Sequence, residues 1–347
     1  MLMDGIYVPV AAPFYRDGAS YWKKLEHNVG RYSLTPAAGL VALTGERGAL
    51  SEAERRETLE VIAQAAAPEK VLVAAIAQDS VRGALAVAEE AERAGFDAVM
   101  LGGPLSWASL RAAERMVWFR AVADASPLPV MLYGDAVRGV LDVEILAELA
   151  LHGNIWGLYD AGLTLQRLDA ILAATREVQH EATVTTVFAP VPRRMLAVQE
   201  PAAGSATFVT AESLAGGAAV AVAPPKPAIK TRTKTVGFQV MAAGRVSGLV
   251  ELLQAGVAGT MPALAACAPQ GCYEAYAAFK DGDPALAAEK EQRLLAADAL
   301  LGELGVAGIK YGCDLNGYYG GAPRLPRLPL DGEQRAQVER VLQGLRN

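Results

Sequence analysis

The stretch VLVAAIAQDSVRGALAVAEEAERAGFDAVML, residues 71–101, contains two short apolar runs separated by a helical pattern. Val71–Ala77 and Asp97–Leu101 have the length and composition of buried strands. Between them, Val81–Ala94 has helical spacing, and Gly95 is a typical residue just past a helix end. Repeated units of this kind imply a parallel sheet.

The same alternation extends in both directions along the chain. Further apolar runs occur at Ile6–Val10, Gly39–Leu43, Pro129–Tyr133 and Ile155–Tyr159, and helical runs at Trp22–Tyr32, Ser51–Ala67, Leu110–Ala125, Val143–Leu151 and Leu165–Val178. Six strand–helix units before residue 180 favour an α/β fold in which the sheet closes into a (β/α)8 TIM barrel, rather than an open doubly wound sheet. No G-x-G-x-x-G opens any of these helices, which weakens a dinucleotide-binding alternative.

The alternation breaks at about His180. From about 182 to 236 the chain has β-prone pieces separated by proline and glycine, at Val184–Phe188, Ala206–Val209 and Ala218–Ala223. This pattern predicts an insertion between helix 6 and strand 7. Lys230, Arg232 and Lys234 alternate with threonine, as in an edge strand or hairpin. Strands seven and eight are predicted at Phe238–Met241 and Val257–Met261, and C-terminal helices at Gln270–Lys280, Pro284–Leu304 and Glu333–Leu345. The predicted organisation is a barrel over 1–265, including the insertion, and a C-terminal helical segment over 266–347.

Composition excludes several classes of function. The 347 residues carry a net charge of −6 and an estimated pI of 5.3, which argues against a nucleic-acid-binding surface. We expect no signal peptide and no membrane span, and therefore a cytoplasmic protein. Three cysteines indicate a reducing compartment, and with three scattered histidines they give no zinc-ligand spacing, so no metal and no cofactor are expected.

Short signatures occur in order along most of the chain. They are Ala12-Pro13-Phe14 with Asp17-Gly18, Leu43-Thr44-Gly45-Glu46 with Leu50-Ser51, Met131-Leu132-Tyr133, Asn154-Ile155-Trp156-Gly157-Leu158-Tyr159-Asp160, and Gly308-Ile309-Lys310 with Gly320-Gly321-Ala322-Pro323-Arg324. Together they resemble the dihydrodipicolinate synthase / N-acetylneuraminate lyase family. The resemblance implies a (β/α)8 barrel that acts on small 2-oxo acids, with no nucleic acid or membrane as partner, in a homodimer or homotetramer.

The resemblance also implies site residues. Tyr133 matches a tyrosine that relays protons in the family, and Arg138 matches an arginine that binds a carboxylate in the synthase branch. The turn Thr44, Gly45 and Glu46 matches a turn whose backbone contacts the oxo-acid carboxylate. A guanidinium is suited to this task because it donates two parallel hydrogen bonds to a carboxylate.

Several family residues are replaced in this chain. The lysine that forms an imine with the substrate is matched by Tyr159, and a phenol forms no imine with a ketone. A relay threonine is matched by Leu43 and the asparagine after Tyr133 by Gly134. The family's Pro-Tyr-Tyr motif, with the tyrosine that neighbouring subunits exchange, is matched by Pro104-Leu105-Ser106. The resemblance therefore implies a lyase scaffold without its imine-forming amine.

Alternatives remain open for each candidate residue. Tyr159 either fills the volume of the lysine stem or, with Tyr133, supplies general acid/base contacts. Tyr133 is either a site residue at the carboxyl end of a strand or a packed core tyrosine. Arg138 is either a carboxylate clamp or a surface arginine paired with Asp135 or Asp142. Asp160 alternates in direction with Tyr159 and is interpreted as structural.

Two further sources of reactive groups are considered. Lys226, Lys230 or Lys234 in the insertion would replace the missing amine if one reached the barrel mouth. Cys267 and Cys272 lack a nearby histidine in sequence and are interpreted as small apolar residues.

Two functions follow from this pattern. The first is a lyase or hydro-lyase that acts on a small 2-oxo or hydroxy acid without the lysine imine. The second is a non-catalytic descendant that binds a small acid, or a protein partner through the insertion. Fold alone does not distinguish them.

Overall fold

The computed structural model describes residues 1–45, 49–135, 139–197 and 229–345. Its strands are β1 Gly5–Pro9, β2 Gly39–Ala42, β3 Val71–Ile76, β4 Ala98–Gly102, β5 Val130–Gly134, β6 Ile155–Asp160, β7 His180–Thr185, β8 Thr231–Val236, β9 Gln239–Gly244 and β10 Gly259–Pro262. All except β7 and β8 form one closed parallel barrel, in the order β1-β2-β3-β4-β5-β6-β9-β10, with β10 pairing back to β1. The predicted (β/α)8 barrel is confirmed.

Helices cover the outside of the barrel and extend it at the C-terminus. They are α1 Trp22–Ser33, α2 Glu52–Ala65, α3 Val81–Ala94, α4 Ala112–Ala125, α5 Val143–Ala150, α6 Leu165–Ala174, α7 Arg193–Ala197, α8 Leu249–Gln254, α9 Pro269–Lys280, α10 Pro284–Leu315 and α11 Gly332–Leu342. Local sequence sets their ends: Ser51 and Glu54 form a capping box at the start of α2, and Gly95 ends α3 with a φ of 92°. No helix among the described residues is long and apolar enough to cross a membrane.

The barrel interior is filled by pairing glycines with large side chains. A Cβ at Gly39 would lie 2.5 Å from the Tyr7 ring, one at Gly157 2.7 Å from Met131 Cε, and one at Gly259 2.9 Å from Met241 Cε. Real Cβ atoms do not approach so closely, so these strand positions have room only for glycine. The lower barrel is a packed core and not a channel.

Within the C-terminal segment, α10 reaches the carboxyl ends of the strands, whereas α9 packs beside β1. The long helix α10 is kinked at Gly305, whose φ of 61° and ψ of −143° are not helical. The sequence predicts a helix that ends at Leu304, one residue before this kink. Beyond it the chain is helical again, so that residues on both sides of Gly305 reach the barrel mouth.

The insertion begins as an antiparallel hairpin outside the barrel. Strands β7 and β8 pair from His180↔Val236 to Thr185↔Thr231, which confirms the hairpin predicted from the alternating basic residues. Ala182, Val184 and Val236 pack with Leu2 and Trp156 at the amino ends of β1 and β6. The β-prone pieces predicted near 206–209 and 218–223, and Lys226, lie outside the described residues.

The short helix α7 attaches the insertion to the same face. Arg194 donates to the carbonyls of Ala63, in the last turn of α2, and of Ala66, Ala67 and Lys70, beyond its end, at 2.7–3.2 Å. The backbone N–H of Arg193 donates to Asp97, one residue before β4. The hairpin that carries Lys230 and Lys234 is therefore attached to the face opposite the mouth. A five-residue strand spans roughly 16 Å, so the hairpin places these two lysines away from the barrel mouth.

Candidate active site at the barrel mouth

A cavity of about 270 Å³ opens at the carboxyl ends of the barrel strands. Catalytic groups of (β/α)8 barrels lie at this end because the βα loops project from it. The described residues that line it come from β1, β2, β4, β5, β9, β10 and from α10: Pro9, Ala11, Ala12, Thr44, Gly45, Met100, Tyr133, Gly244, Met261, Ala263, Ala266, Leu301, Gly302, Gly305, Val306 and Ile309.

Tyr133 lies in the cavity wall near the end of β5. Its side chain is half-buried, and its Cα pairs with that of Tyr159 on the neighbouring strand. Side chains at paired positions of parallel strands point to the same face of the sheet. The two tyrosines therefore both point into the barrel interior.

Tyr159 lies below the cavity and does not line it. Its side chain is fully buried, and its ring meets the Tyr7 ring edge-on, with 6.3 Å between centroids and 81° between planes. Its hydroxyl has no hydrogen-bond partner among the described residues. Burial raises the pKa of this phenol well above 10, with a smaller effect of Tyr7, so it remains protonated at neutral pH.

The turn after β2 brings backbone to the cavity. Thr44 and Gly45 both line it, and the turn has positive φ at Gly45 (68°) and also at Leu43 (60°). A leucine in the left-handed region is strained, and such strain is typical of functional loops. Glu46 and Arg138, the other two predicted carboxylate-binding residues, lie outside the described residues.

Asp160 follows Tyr159 and points out of the barrel. Its buried carboxylate accepts hydrogen bonds from Arg167 Nε at 2.7 Å and from the backbone N–H of Gly162 at 2.8 Å. Arg167 also donates to the Leu141 carbonyl at 2.7 Å. These contacts fix the end of β6 to the segment after β5, so the geometry agrees with the structural interpretation of Asp160.

No lysine among the described residues lines the cavity. Lys310 is adjacent to it in sequence, but its ammonium donates to the Ala322 carbonyl at 2.9 Å and lies 4.3 Å from the centre of the Phe14 ring. The contacts of Lys310 therefore fasten α10 to the tail and to the loop after β1.

The described cysteines have no arrangement typical of catalysis. Cys267, Cys272 and Cys313 are buried thiols, and burial raises the pKa of each above its usual value, to about 12 for Cys313. A nucleophilic cysteine needs a lowered pKa. In the part of the chain that the structure describes, no three His, Cys, Asp or Glu residues cluster as metal ligands do.

Sequence reasoning missed the wall that α10 contributes. Leu301, Gly302, Gly305, Val306 and Ile309 line the cavity although they lie more than 160 residues from Tyr133 in sequence. Their only local signal is the pair Gly302 and Gly305 inside an otherwise helical run. Glycines there disfavour a straight helix and so mark a bend.

Fold and site together define a (β/α)8 barrel with a ligand cavity at its mouth. The sequence matches the Dihydrodipicolinate synthetase family over residues 2–184 and 227–345, and the chain belongs to this family. The interval without a match lies within the insertion.

Individual relatives cover nearly the whole chain. A 4-hydroxy-tetrahydrodipicolinate synthase of Acidiphilium cryptum is 26% identical over 99% of both chains, and an L-threo-3-deoxy-hexylosonate aldolase of Aspergillus niger is 25% identical over 87% of this chain and 83% of its own. Among solved structures, a putative dihydrodipicolinate synthetase from Pseudomonas aeruginosa has a TM-score of 0.78 at 22% identity, covering 99% of this chain and 100% of its own. A prophage protein of the dihydrodipicolinic acid synthase family from E. coli K12, solved with pyruvate, has a TM-score of 0.76 at 22% identity and covers 99% of each chain.

Proposed function

We propose that this protein is a lyase or hydro-lyase that acts on a small 2-oxo or hydroxy acid without a lysine imine. One observation carries the proposal: Tyr133 lines a cavity at the barrel mouth, and no described lysine lines it. The sequence resemblance, which places Tyr159 at the position of the family's lysine, supports the same proposal. The carboxylate would bind at the Thr44–Gly45 turn, with Glu46 and Arg138 as further contacts. The names of the relatives, a synthase and an aldolase, agree with this substrate class.

The two tyrosines would have different tasks. Tyr133 would exchange a proton with the reacting carbonyl or hydroxyl, because it is the phenol in the cavity wall. Tyr159 does not line the cavity, so it would donate a hydrogen bond only to a ligand that reaches past the present cavity floor. Its raised pKa keeps it protonated, and its hydroxyl lacks a partner among the described residues. An unsatisfied buried hydroxyl costs about 1–3 kcal/mol, and a ligand oxygen would remove that cost. Proton transfer by a positioned group typically contributes about 10²–10⁴-fold.

A non-catalytic role is the second candidate function. Tyr159 is packed against Tyr7 and does not line the cavity, as expected if it only fills volume. The protein would then bind a small acid at the mouth, or a protein through the insertion, without turnover.

By its membership of the family, we propose a cytoplasmic homodimer or homotetramer. Sedimentation of the purified protein measures the oligomeric state directly.

Hydrogen–deuterium exchange separates the two functions. The purified protein is mixed with pyruvate in D2O, and loss of the methyl protons is followed by NMR; a parallel sample is treated with borohydride and weighed by mass spectrometry. We expect exchange above background and no reduced adduct. An adduct would mean that a lysine still forms the imine, and binding without exchange would favour the non-catalytic role.

Removing one hydroxyl at a time assigns the proton transfers. For Tyr133→Phe we expect exchange to fall about 10²–10⁴-fold, since the transferring group is lost. For Tyr159→Phe we expect about a tenfold fall, the value of one hydrogen bond. Tyr273→Phe on α9, away from the cavity, is the matched control. Equal rates in all three variants would exclude both tyrosines from the chemistry.

A further inference from the structure

The described part of the cavity wall contains very few polar side chains. Of the sixteen described lining residues, only Thr44 and Tyr133 carry a polar side-chain atom. The others are aliphatic residues, methionine, proline or glycine. A ligand with several hydroxyl groups needs a hydrogen-bond partner for each, because burying an unpaired hydroxyl is unfavourable.

The apolar wall begins directly beside the carboxylate turn. A Cβ at Gly45 would lie 3.5 Å from Cγ2 of Val306, so the turn and α10 are in contact. Ile309 lies one helical turn further along α10, and Met261 contributes from β10. An acid bound at Thr44–Gly45 would therefore extend its second end along hydrocarbon.

The loop after β9 is already occupied by carboxylates of this chain. In many (β/α)8 barrels the loops after strands seven and eight bind a phosphate. Here Glu291 accepts from the backbone N–H groups of Gly248 and Val250 at 2.8 and 2.9 Å. Asp298 accepts from the amides of Val246 and Ser247. A phosphate at this loop would meet two carboxylates in place of free donors.

The arginine of this loop is also charge-paired. Arg245, which follows the cavity residue Gly244, has its Nε 3.0 Å from the buried carboxylate of Asp298. Its Nη1 lies 2.1 Å from the position that a Cβ at Gly302 would take, so the guanidinium lies against α10. Among the described residues of this loop, the positive charge of Arg245 is therefore already neutralised. It is not available to bind an anionic group at the far end of a ligand.

We infer that the cavity takes a 2-oxo acid whose second end is a short hydrocarbon chain, and not a polyhydroxylated or phosphorylated one. The inference rests on the proposed function for the position of the carboxylate. A volume of about 270 Å³ limits the length of the chain, since cavities for drug-sized ligands start at about 300 Å³.

Calorimetric titration of the wild-type protein tests the inference. The ligands are pyruvate, 2-oxobutanoate, 2-oxopentanoate and 4-hydroxy-2-oxopentanoate. We expect affinity to rise about fourfold with each added methylene, and to fall about tenfold when the hydroxyl is added to the five-carbon acid. A hydroxylated acid that binds as tightly as its hydrocarbon counterpart, or no rise along the series, would overturn the inference.

A matched pair of variants locates the tail. Val306→Thr keeps the shape of the side chain and adds a hydroxyl to the wall. The affinity gained with each added methylene should therefore become smaller. Val117→Thr makes the same change on the exposed side of α4 and should leave the series unaltered. An unaltered series in Val306→Thr would mean that the tail lies elsewhere, and would overturn the inference as stated.

The outcomes also separate this inference from the proposed function. If pyruvate binds and longer acids do not bind more tightly, the tail inference fails and the proposed function survives. If none of the four acids binds, both fail.

Discussion

The two ends of the barrel use their polar groups differently. At the amino end, Asp97 accepts from the Leu72 and Arg193 amides, and Arg194 donates to four backbone carbonyls. Gln239 likewise accepts from the backbone N–H of Met3 and donates to the Met1 carbonyl. At the carboxyl end, Thr44 and Tyr133 lie in a cavity wall, and the Tyr159 hydroxyl has no partner among the described residues.

This difference separates architecture from function within one sheet. Polar groups at the amino end are joined to backbone, so changing them should cost stability. At the mouth, Thr44 and Tyr133 line the cavity and the Tyr159 hydroxyl has no partner among the described residues, so changing these groups should cost ligand binding or turnover. Such a division is general in (β/α)8 barrels, and the insertion here is attached to the structural end.

Asp160 offers the largest exception, because it lies at the mouth and yet serves the architecture. Asp160→Ala would leave Arg167 without its buried carboxylate, and we expect a loss of about 3–5 kcal/mol in the free energy of unfolding. Denaturant titration measures it. Glu148→Ala breaks the exposed Arg120–Glu148 pair and should cost about 0–1 kcal/mol. Similar losses in both variants would mean that the Asp160 pair is worth no more than a surface pair.

Arg194→Ala tests the amino end itself. The change removes four hydrogen bonds that join the insertion to the end of α2, and we expect a loss of about 2–4 kcal/mol in unfolding free energy. Pyruvate affinity of the folded protein should stay unchanged. Arg194→Lys keeps the charge but has fewer hydrogen-bond donors. Its free energy of unfolding should lie between those of the wild type and Arg194→Ala. A weaker affinity for pyruvate in the folded variant would contradict the division between the two ends.

The sequence predicts the barrel well because its strands are local signals. Most are short apolar runs bounded by glycine, proline or a helix cap, and these lie within a residue or two of the predicted bounds. The start of the hairpin is predicted less accurately, because the first β-prone piece begins at Val184 whereas β7 begins at His180. There the helical pattern runs on to Val178, whereas α6 ends at Ala174. The decisive factor is packing of β7 against Leu2 and Trp156, which is a tertiary contact.

The site was predictable only in part, for the same reason. Strand alternation correctly predicts that Tyr133 and Tyr159 point into the barrel and that Asp160 points out of it. Alternation does not tell how far a side chain reaches, so it left open that Tyr159 lies below the cavity. The wall from Val306 and Ile309 depends on how α10 docks, about 170 residues after Tyr133.

Gly305→Ala tests the helix that closes the mouth, with a smaller expected loss of stability than the two variants above. No atom lies within 4 Å of the position of an added Cβ, so the cost is backbone strain alone, about 1–3 kcal/mol at this φ and ψ. Gly30→Ala, inside α1 and equally uncrowded, should instead stabilise by about 0.5–1 kcal/mol. Thermal unfolding of both variants measures the contrast. Opposite signs would confirm that the α10 kink requires glycine, and equal signs would reject it.

The smallest expected effect concerns the buried phenols at high pH. An unfolded tyrosine ionises near 10, whereas burial raises the pKa of Tyr159 and Tyr7 well above that in the folded protein. Above about pH 10 the unfolded chain has therefore lost protons that the folded chain retains. Stability is full below that pH and falls as pH rises, by up to about 1.4 kcal/mol per pH unit for each such phenol.

Replacing Tyr159 should reduce this alkaline loss by one group. For Tyr159→Phe we expect a shallower fall of unfolding free energy between pH 10 and 11, and for Tyr7→Phe a similar change. At neutral pH, Tyr159→Phe should be neutral or about 1 kcal/mol more stable, because it removes an unsatisfied buried hydroxyl. A variant less stable at neutral pH would mean that the hydroxyl has a structural partner. Tyr159 would then belong with the architecture of the amino end, not with the cavity above it.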